Sequence, residues 1–210
     1  MQLIIMRHGQ TDDNVDHRYT GTNDVPLNEQ GREQARAAGC ARNVPLVFTS
    51  HLSRAQETAR ICFPNAQQIV RSALSEMNFG DFQGRTPDEM EDDATYRAWV
   101  DQWCIPSCPN GESRDEYTAR VTQAIRKIVV AQAAEGASQV VVVAHGGTVM
   151  ATLFTFANES EMRSYYEWNP GNCGGYRAQI IFNGEDRFVL GDIERFDSLD
   201  FLHEGPAEES

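Results

Sequence analysis

Arg7-His8-Gly9 follows the apolar run Leu3-Ile4-Ile5-Met6 and sets a cation and an imidazole beside a glycine, where a buried strand must run out into a turn. Two more segments repeat that arrangement. Thr49-Ser50-His51-Leu52-Ser53-Arg54 follows a second apolar stretch and opens a helix. His145-Gly146-Gly147 follows residues 140–144, an unbroken apolar run of the kind buried parallel strands make. In an open parallel sheet, ligands collect beyond the carboxyl ends of the strands. Three strand ends thus bring His8, Arg54 and His145 to one edge. A lone histidine or arginine is usually a satisfied or solvated side chain; three at equivalent topological positions argue for a site.

These residue types suit phosphoryl transfer. The transferred group spreads negative charge over its non-bridging oxygens, so catalysis rests on positioning and on cationic donors. Arg7 and Arg54 offer forks of N–H bonds, and a protonated His145 offers one more. A helix starting near Gly146 adds backbone N–H groups and a positive dipole end. A neutral His8 has a lone pair with which to attack phosphorus, provided its other nitrogen donates elsewhere, for instance to a backbone carbonyl. The leaving alcohol then needs a proton, which a carboxylic acid in a partly desolvated pocket can supply.

Positioning such groups takes alternating strands and helices, and the apolar periodicity predicts them. After the first strand, Asn28 caps a helix to about Cys40, with Ala35, Ala38 and Ala41 inward. Residues 44–48 form a second strand around Pro45, and Ser50 or Ser53 caps the helix after it. Ile69-Val70 mark a weaker strand. Thr86-Pro87-Asp88-Glu89 combines a cap, a proline at the first helical position and a capping-box glutamate, and Ser113-Arg114-Asp115-Glu116 repeats the box before a helix with Val121, Ile125, Ile128 and Val129. A helix runs from Gly146 to Phe156. Residues 179–182 and 188–193 flank Asn183-Gly184-Glu185-Asp186 as a hairpin. The expectation is a single α/β domain over residues 1–202, a three-layer α/β/α sandwich with a mostly parallel central sheet, followed by an acidic, loose tail at 203–210.

Composition narrows the partners. Eighteen basic against 31 acidic residues leave a net charge of −13, which disfavours a nucleic-acid backbone or an anionic membrane. No apolar stretch reaches membrane-spanning length, and no basic segment precedes an apolar one at the start. The five cysteines are odd in number and irregularly spaced, so they read as reduced thiols in a cytoplasmic protein. Cys104, Cys108 and Cys173 lack the paired spacing of a metal site, and no metal is expected. Cys108 and Arg114 do match the Cys-x5-Arg spacing of cysteine-based phosphatases. No buried strand leads into that loop, however, and Glu112 inside it would repel an anion, so the match reads as coincidence. Tyr96, Trp99 and Trp103 could stack on a base or ring, but at helical spacing the core-facing reading is favoured.

Met6-Arg7-His8-Gly9-Gln10-Thr11 with Asn14, then Thr20-Gly21 and Asp24-Val25-Pro26-Leu27-Asn28, resembles the opening of the histidine phosphatase superfamily, which also contains the cofactor-dependent phosphoglycerate mutases. The likeness continues through Ser50-His51-Leu52-Ser53-Arg54-Ala55 with Thr58-Ala59, through Leu74-Ser75-Glu76-Met77-Asn78-Phe79-Gly80 with Gly84, through Gly111-Glu112-Ser113, and through Ala144-His145-Gly146-Gly147. The resemblance implies a phosphoglycerate mutase-like fold and a role for each matched residue. His8 would become phosphohistidine, and Glu76 would protonate the leaving oxygen. Arg7, Arg54 and His145 would hold the phosphoryl group with help from Asn14, while Thr20 and Gly21 would lie beside the substrate. Thr20 stands where the family often has glutamine, and Glu76 is a carboxylate that composition alone would not single out.

Within that family, the mutases carry a longer, more basic insertion after the acid residue, whereas Asp88-Glu89-Met90-Glu91-Asp92-Asp93 here is acidic. Water is therefore the expected final acceptor, in a two-step hydrolysis of a phosphomonoester that uses neither metal nor cofactor. The stretch 74–86 looks similar to that of α-ribazole phosphatases. Discrimination is expected from residues 89–110 and 168–177, including the loop Asn169-Pro170-Gly171-Asn172-Cys173-Gly174-Gly175, and from Tyr166. Phosphoglycerate mutase is the alternative. A non-catalytic phosphate-ester binder stands third, since such proteins usually lose the nucleophile or the acid. The expected partner is a small phosphorylated substrate, with a homodimer left open.

Overall fold

The computed structural model describes residues 1–202, so the acidic tail expected at 203–210 lies outside the described residues. The chain runs β1 (Gln2–Arg7), α1 (Asp12–Val15), α2 (Glu29–Ala38), β2 (Leu46–Thr49), α3 (Ser53–Cys62), β3 (Gln67–Val70), α4 (Ala94–Asp101), α5 (Arg114–Ala134), β4 (Gln139–Ala144), α6 (Gly146–Phe156), β5 (Gly175–Phe182) and β6 (Phe188–Phe196), with short 3-10 turns between them. One six-stranded sheet has the order β3-β2-β4-β1-β5-β6. Its first four strands are mutually parallel, while β5 runs antiparallel to β1 and β6 antiparallel to β5.

Why the central strands are apolar throughout is plain from their packing. Leu3 and Ile5 of β1, with Val140 and Val142 of β4, enter one apolar cluster together with α5 and α6. Ile4, Met6, Val141 and Val143 point the other way, into a second cluster that α2 and α3 complete. Both faces are covered, so neither face of these strands can be polar. The result is the three-layer α/β/α sandwich.

Register sets the strand ends level. Arg7 pairs with Ala144, Thr49 pairs with Val143, and the His8 N–H donates to Ala144 O at 3.0 Å. His8, Ser50 and His145 therefore leave the sheet side by side.

Several local expectations need correction. Strand β2 begins after Pro45, which has no N–H to give; its carbonyl instead accepts from Gln67 N. Strand β5 starts earlier than expected, at Gly175 beside Met6. Neither serine caps α3: the N-cap is Leu52, the Ser53 N–H finds Asp24 Oδ1 at 2.7 Å, and the Ser50 hydroxyl turns to His145. The Thr86–Glu89 box forms reciprocally, yet it closes only the turn Asp88–Met90, and Asp93 caps α4 afresh. Because α4 ends at Asp101, Trp103 falls outside it with φ +59° and stands 74% exposed, whereas Tyr96 and Trp99 are core residues.

Candidate active site

At the carboxyl end of β1, His8 is buried. Its Nδ1 lies 2.6 Å from Gly9 O, and since a carbonyl only accepts, Nδ1 carries the proton. Nε2 is then the lone-pair nitrogen, and it accepts from Arg54 Nε at 3.2 Å. Burial, followed by the charges of Arg54 and Arg7, holds His8 well below the ordinary imidazole range. The ring is neutral, with its unprotonated nitrogen turned toward Arg54 and the charge of Arg7 close by. A phosphoryl oxygen is a stronger acceptor for Arg54 Nε–H than imidazole is, so an arriving anion releases that lone pair.

Arg54 enters from the first turn of α3 and is itself buried. Its terminal nitrogens donate to Asn23 O and Gly21 O, each at 2.7 Å, which fixes the guanidinium plane. Gly21 thus acts through its carbonyl. Its φ of +52°, and the 2.8 Å approach that a Cβ would make to the backbone oxygen of Met77, both require glycine here. Arg7 donates to Pro170 O at 3.3 Å, and its stem lies against Gly146, where a Cβ would approach Arg7 Cδ to 3.6 Å. Desolvation pulls both guanidinium groups down from their usual value, opposed by the nearby Glu76 carboxylate, and both remain cations.

Asn14 accepts at Oδ1 from Thr11 N and from Asn172 Nδ2, each at 3.2 Å, so its own Nδ2 is left to donate. Asn172 Nδ2 also reaches His8 O at 3.1 Å, tying the loop at 169–175 to the end of β1. Thr20 is buried beside this region with its hydroxyl unpartnered.

His145 packs edge-on to His8, with ring centroids 5.2 Å apart. Its Nε2 meets Ser50 Oγ at 2.8 Å, and its buried Nδ1 has no partner among the described residues. Burial and the charge of Arg54 push His145 well below the usual range, so the expectation of a protonated donor is corrected. A neutral ring can still donate. In the tautomer where the Ser50 hydroxyl donates to Nε2, the one N–H of His145 is at Nδ1 and free for a ligand. The helix-capping reading of Ser50 concealed this role.

Glu76 follows the short turn Ser72–Leu74 and reaches the same edge. Its Oε2 accepts from Gly147 N at 3.2 Å, at the N-terminus of α6, where the helix dipole favours a carboxylate. Its Oε1 accepts from Tyr117 Oη at 2.8 Å and from Met77 N at 3.0 Å. Nothing in the sequence marked Tyr117, which reads as one more inward position of α5.

Two pockets meet here. Glu76 opens on one of about 230 Å³ walled by Tyr19, Phe79, Trp99, Tyr165 and Tyr166, with Arg114 at its side. Arg7 and Asn14 open on a polar one of about 420 Å³ shared with His17 and Arg18, and Tyr19 borders both. A larger hollow of about 630 Å³ between β3 and α5 contains none of these groups, so volume alone would mislead. In the acidic run beyond Glu76, Glu89 pairs with Arg18 and Asp93 caps α4. In the Cys108 loop, burial pushes the thiol up to about 12, and Glu112 is held by Arg120 at 2.8 Å. That is no environment for a thiolate.

A profile of the histidine phosphatase superfamily (branch 1) matches residues 3–186. The chain belongs to that superfamily. This histidine phosphatase superfamily enzyme is 37% identical over 163 residues to the 2,3-bisphosphoglycerate-dependent phosphoglycerate mutase 2 of Gloeobacter violaceus, covering 72% of this chain and 73% of that protein. To the adenosylcobalamin/alpha-ribazole phosphatase of Salmonella typhimurium it is 33% identical over 197 residues, covering 87% and 96%. The alpha-ribazole phosphatase structure from Shigella flexneri matches with a TM-score of 0.75 at 26% identity, covering 94% of this chain and 98% of that one. Superfamily membership carries the fold and the phosphate chemistry. The relatives' names divide between mutase and phosphatase.

Proposed function

We propose that this protein is a phosphomonoester hydrolase that works through a phosphohistidine at His8, on a small phosphorylated metabolite, with α-ribazole phosphate the preferred candidate. The observation that carries the reading is the tautomer of His8: Nδ1–H is spent on Gly9 O, and a neutral Nε2 faces Arg54. Nε2 attacks phosphorus in line with the departing oxygen. Arg7, Arg54, Asn14 Nδ2 and His145 Nδ1 hold the three equatorial oxygens, where charge develops in the transition state. Glu76 protonates the leaving alcohol. Water then attacks the phosphohistidine, with the Glu76 carboxylate taking its proton. Every group in this scheme belongs to the chain itself.

The substrate reading draws on the pocket beside Glu76. The leaving group lies on the acid's side, and that side is aromatic, which suits the flat benzimidazole base of a ribazole. The alpha-ribazole phosphatases among the relatives support the same choice. A cytoplasmic setting belongs with it, supported by five unpaired cysteines. The mutase alternative rests on the mutases among the relatives and on Arg114, a cation available to a second anionic group.

Phosphate release from several monoesters, with chelator present, tests the reading. Wild type should turn over, and His8→Ala should lose roughly 10⁴-fold or more in kcat. No wild-type release, or an unaffected variant, would sink it. Isomerisation of phosphoglycerate outrunning its hydrolysis would favour the mutase.

A further inference from the structure

Glu76 has more partners than an acid needs, and their distribution over its two oxygens is uneven. Oε1 accepts twice, from Tyr117 Oη and Met77 N, whereas Oε2 accepts once, from Gly147 N. Each carboxylate oxygen has two lone pairs. Those on Oε1 are both occupied; one on Oε2 is free.

We propose that Tyr117 is a positioning residue that assigns the transferable proton of Glu76 to Oε2, the oxygen able to meet the leaving group. The inference rests on the reading of Glu76 as the acid.

The surroundings of Tyr117 leave its proton little choice. Its hydroxyl also lies 3.1 Å from Thr148 Oγ1, but Glu76 Oε1 is nearer at 2.8 Å and, as a carboxylate oxygen, is the stronger acceptor. Burial pushes the phenol well above its ordinary value, so it persists as an O–H donor. The backbone makes room for the pair. A Cβ at Gly147 would collide with Glu76 Oε1 and stand 2.8 Å from the Tyr117 oxygen. The second glycine of Gly146-Gly147 is thus the space in which acid and phenol meet at the start of α6.

In the first step the bond from His8 Nε2 to phosphorus forms and the P–O bond to the leaving group breaks. The proton on Oε2 passes to the departing oxygen. The carboxylate left behind keeps Tyr117 and Met77 on Oε1 and Gly147 on Oε2. In the second step water oxygen bonds to phosphorus, its proton returns to Oε2, and the P–N electrons return to Nε2. Without the Tyr117 hydroxyl, Oε1 gains a free lone pair, and the proton can sit on the inward oxygen, out of reach of the alcohol.

Leaving-group dependence separates this role from a merely structural one. An alkyl phosphate needs the proton, whereas a nitrophenyl phosphate departs largely without it. Tyr117→Phe should lower the alkyl-to-aryl ratio of kcat by roughly 10- to 100-fold, the scale of a lost hydrogen bond to a charged group, with KM moving far less. Thr148→Val, which spares the bond to Glu76, should shift that ratio by less than about threefold. Glu76→Gln should lower it more than either. If the Phe variant is poorly folded, the same ratio is read on Gly147→Ala, whose methyl presses into the Glu76–Tyr117 contact, and a fall is again expected. A Tyr117→Phe ratio equal to that of wild type, while Glu76→Gln depresses it, overturns the proposal and leaves the functional reading intact. A flat ratio in Glu76→Gln removes the acid role and the proposal with it, and loss of wild-type hydrolysis altogether would point instead at the functional reading.

Discussion

His8 and His145 reach the proposed phosphoryl side directly from the ends of β1 and β4, and Arg54 reaches it from the first turn of α3 just after β2, on strands that are joined in register through β4. Tyr19, Phe79, Trp99, Tyr165 and Tyr166 reach the leaving-group side from a loop, α4 and short turns, and they hold one another edge to face, with Tyr19 5.1 Å from Phe79 and 5.7 Å from Trp99. On the first side His8, Arg54 and Asn14 are each fixed by hydrogen bonds to assigned partners, and a shift of one residue would ruin the geometry. The second side depends on surface and shape, which several residue combinations can supply. Chemistry and selectivity are therefore separable, and variants on the two sides should fail differently.

Arg54→Ala is expected to have the larger effect. It removes the fork that faces the phosphoryl oxygens and leaves Gly21 O and Asn23 O without their donor. Losing one preorganised donor of this kind costs roughly 10²- to 10³-fold in kcat. The loss should be nearly equal for alkyl and aryl esters, because the phosphoryl group is common to both. Steady-state kinetics on the two esters checks it, and an effect confined to one would break the separation.

Tyr166→Ala should act the other way. Tyr166 is 50% exposed and borders the aromatic pocket, so the sheet does not depend on it. Removing a ring from a hydrophobic pocket changes discrimination by about 1–3 kcal/mol, or roughly 5- to 160-fold in the ratio of kcat/KM between an aromatic and a small alkyl substrate. An equal loss on both esters would mean that the ring supports the phosphoryl side instead.

The same contrast explains what could be read in advance. His8, Arg54 and His145 each follow an apolar run, so strand periodicity and the strand-end rule place them together without coordinates. Glu76 follows no strand of that kind, and only its family motif distinguished it. Ser50 was legible as a helix cap because serine before a helix usually is one; that its hydroxyl meets His145 depends on β2 lying beside β4, a non-local fact. Tyr117 sits at an inward position of α5, and no helical pattern can tell that its oxygen meets a carboxylate from residue 76. Trp103 was misplaced because its spacing continues a helix that ends at Asp101. Local pattern carried the phosphoryl side; on the aromatic side it offered Trp99 and Tyr166, and their meeting with Tyr19, Phe79 and Tyr165 depends on the fold.

Acid should distinguish the two sides by stability alone. Burial pushes Tyr19 and Tyr165 upward, so neither titrates near neutrality. His8 and His145 are held well below the ordinary histidine value, which the unfolded chain retains. As pH falls below about 6.5, the unfolded state takes up protons that these two rings refuse, so stability drops and continues to drop until their depressed values are reached. Above about pH 6.5 both states are neutral at these rings and the contribution is flat. Each ring costs up to about 1.4 kcal/mol per pH unit inside the window. Urea unfolding at about pH 7.5 and about pH 5.5 measures the difference, because carboxylates with lowered values enter only at lower pH. His8→Gln should remove close to half of the drop, whereas Tyr166→Ala should leave it as it is. A wild-type curve that is level across this window would mean that the rings accept protons in the fold, and His8 could not then be the ready nucleophile that its bond to Gly9 O describes.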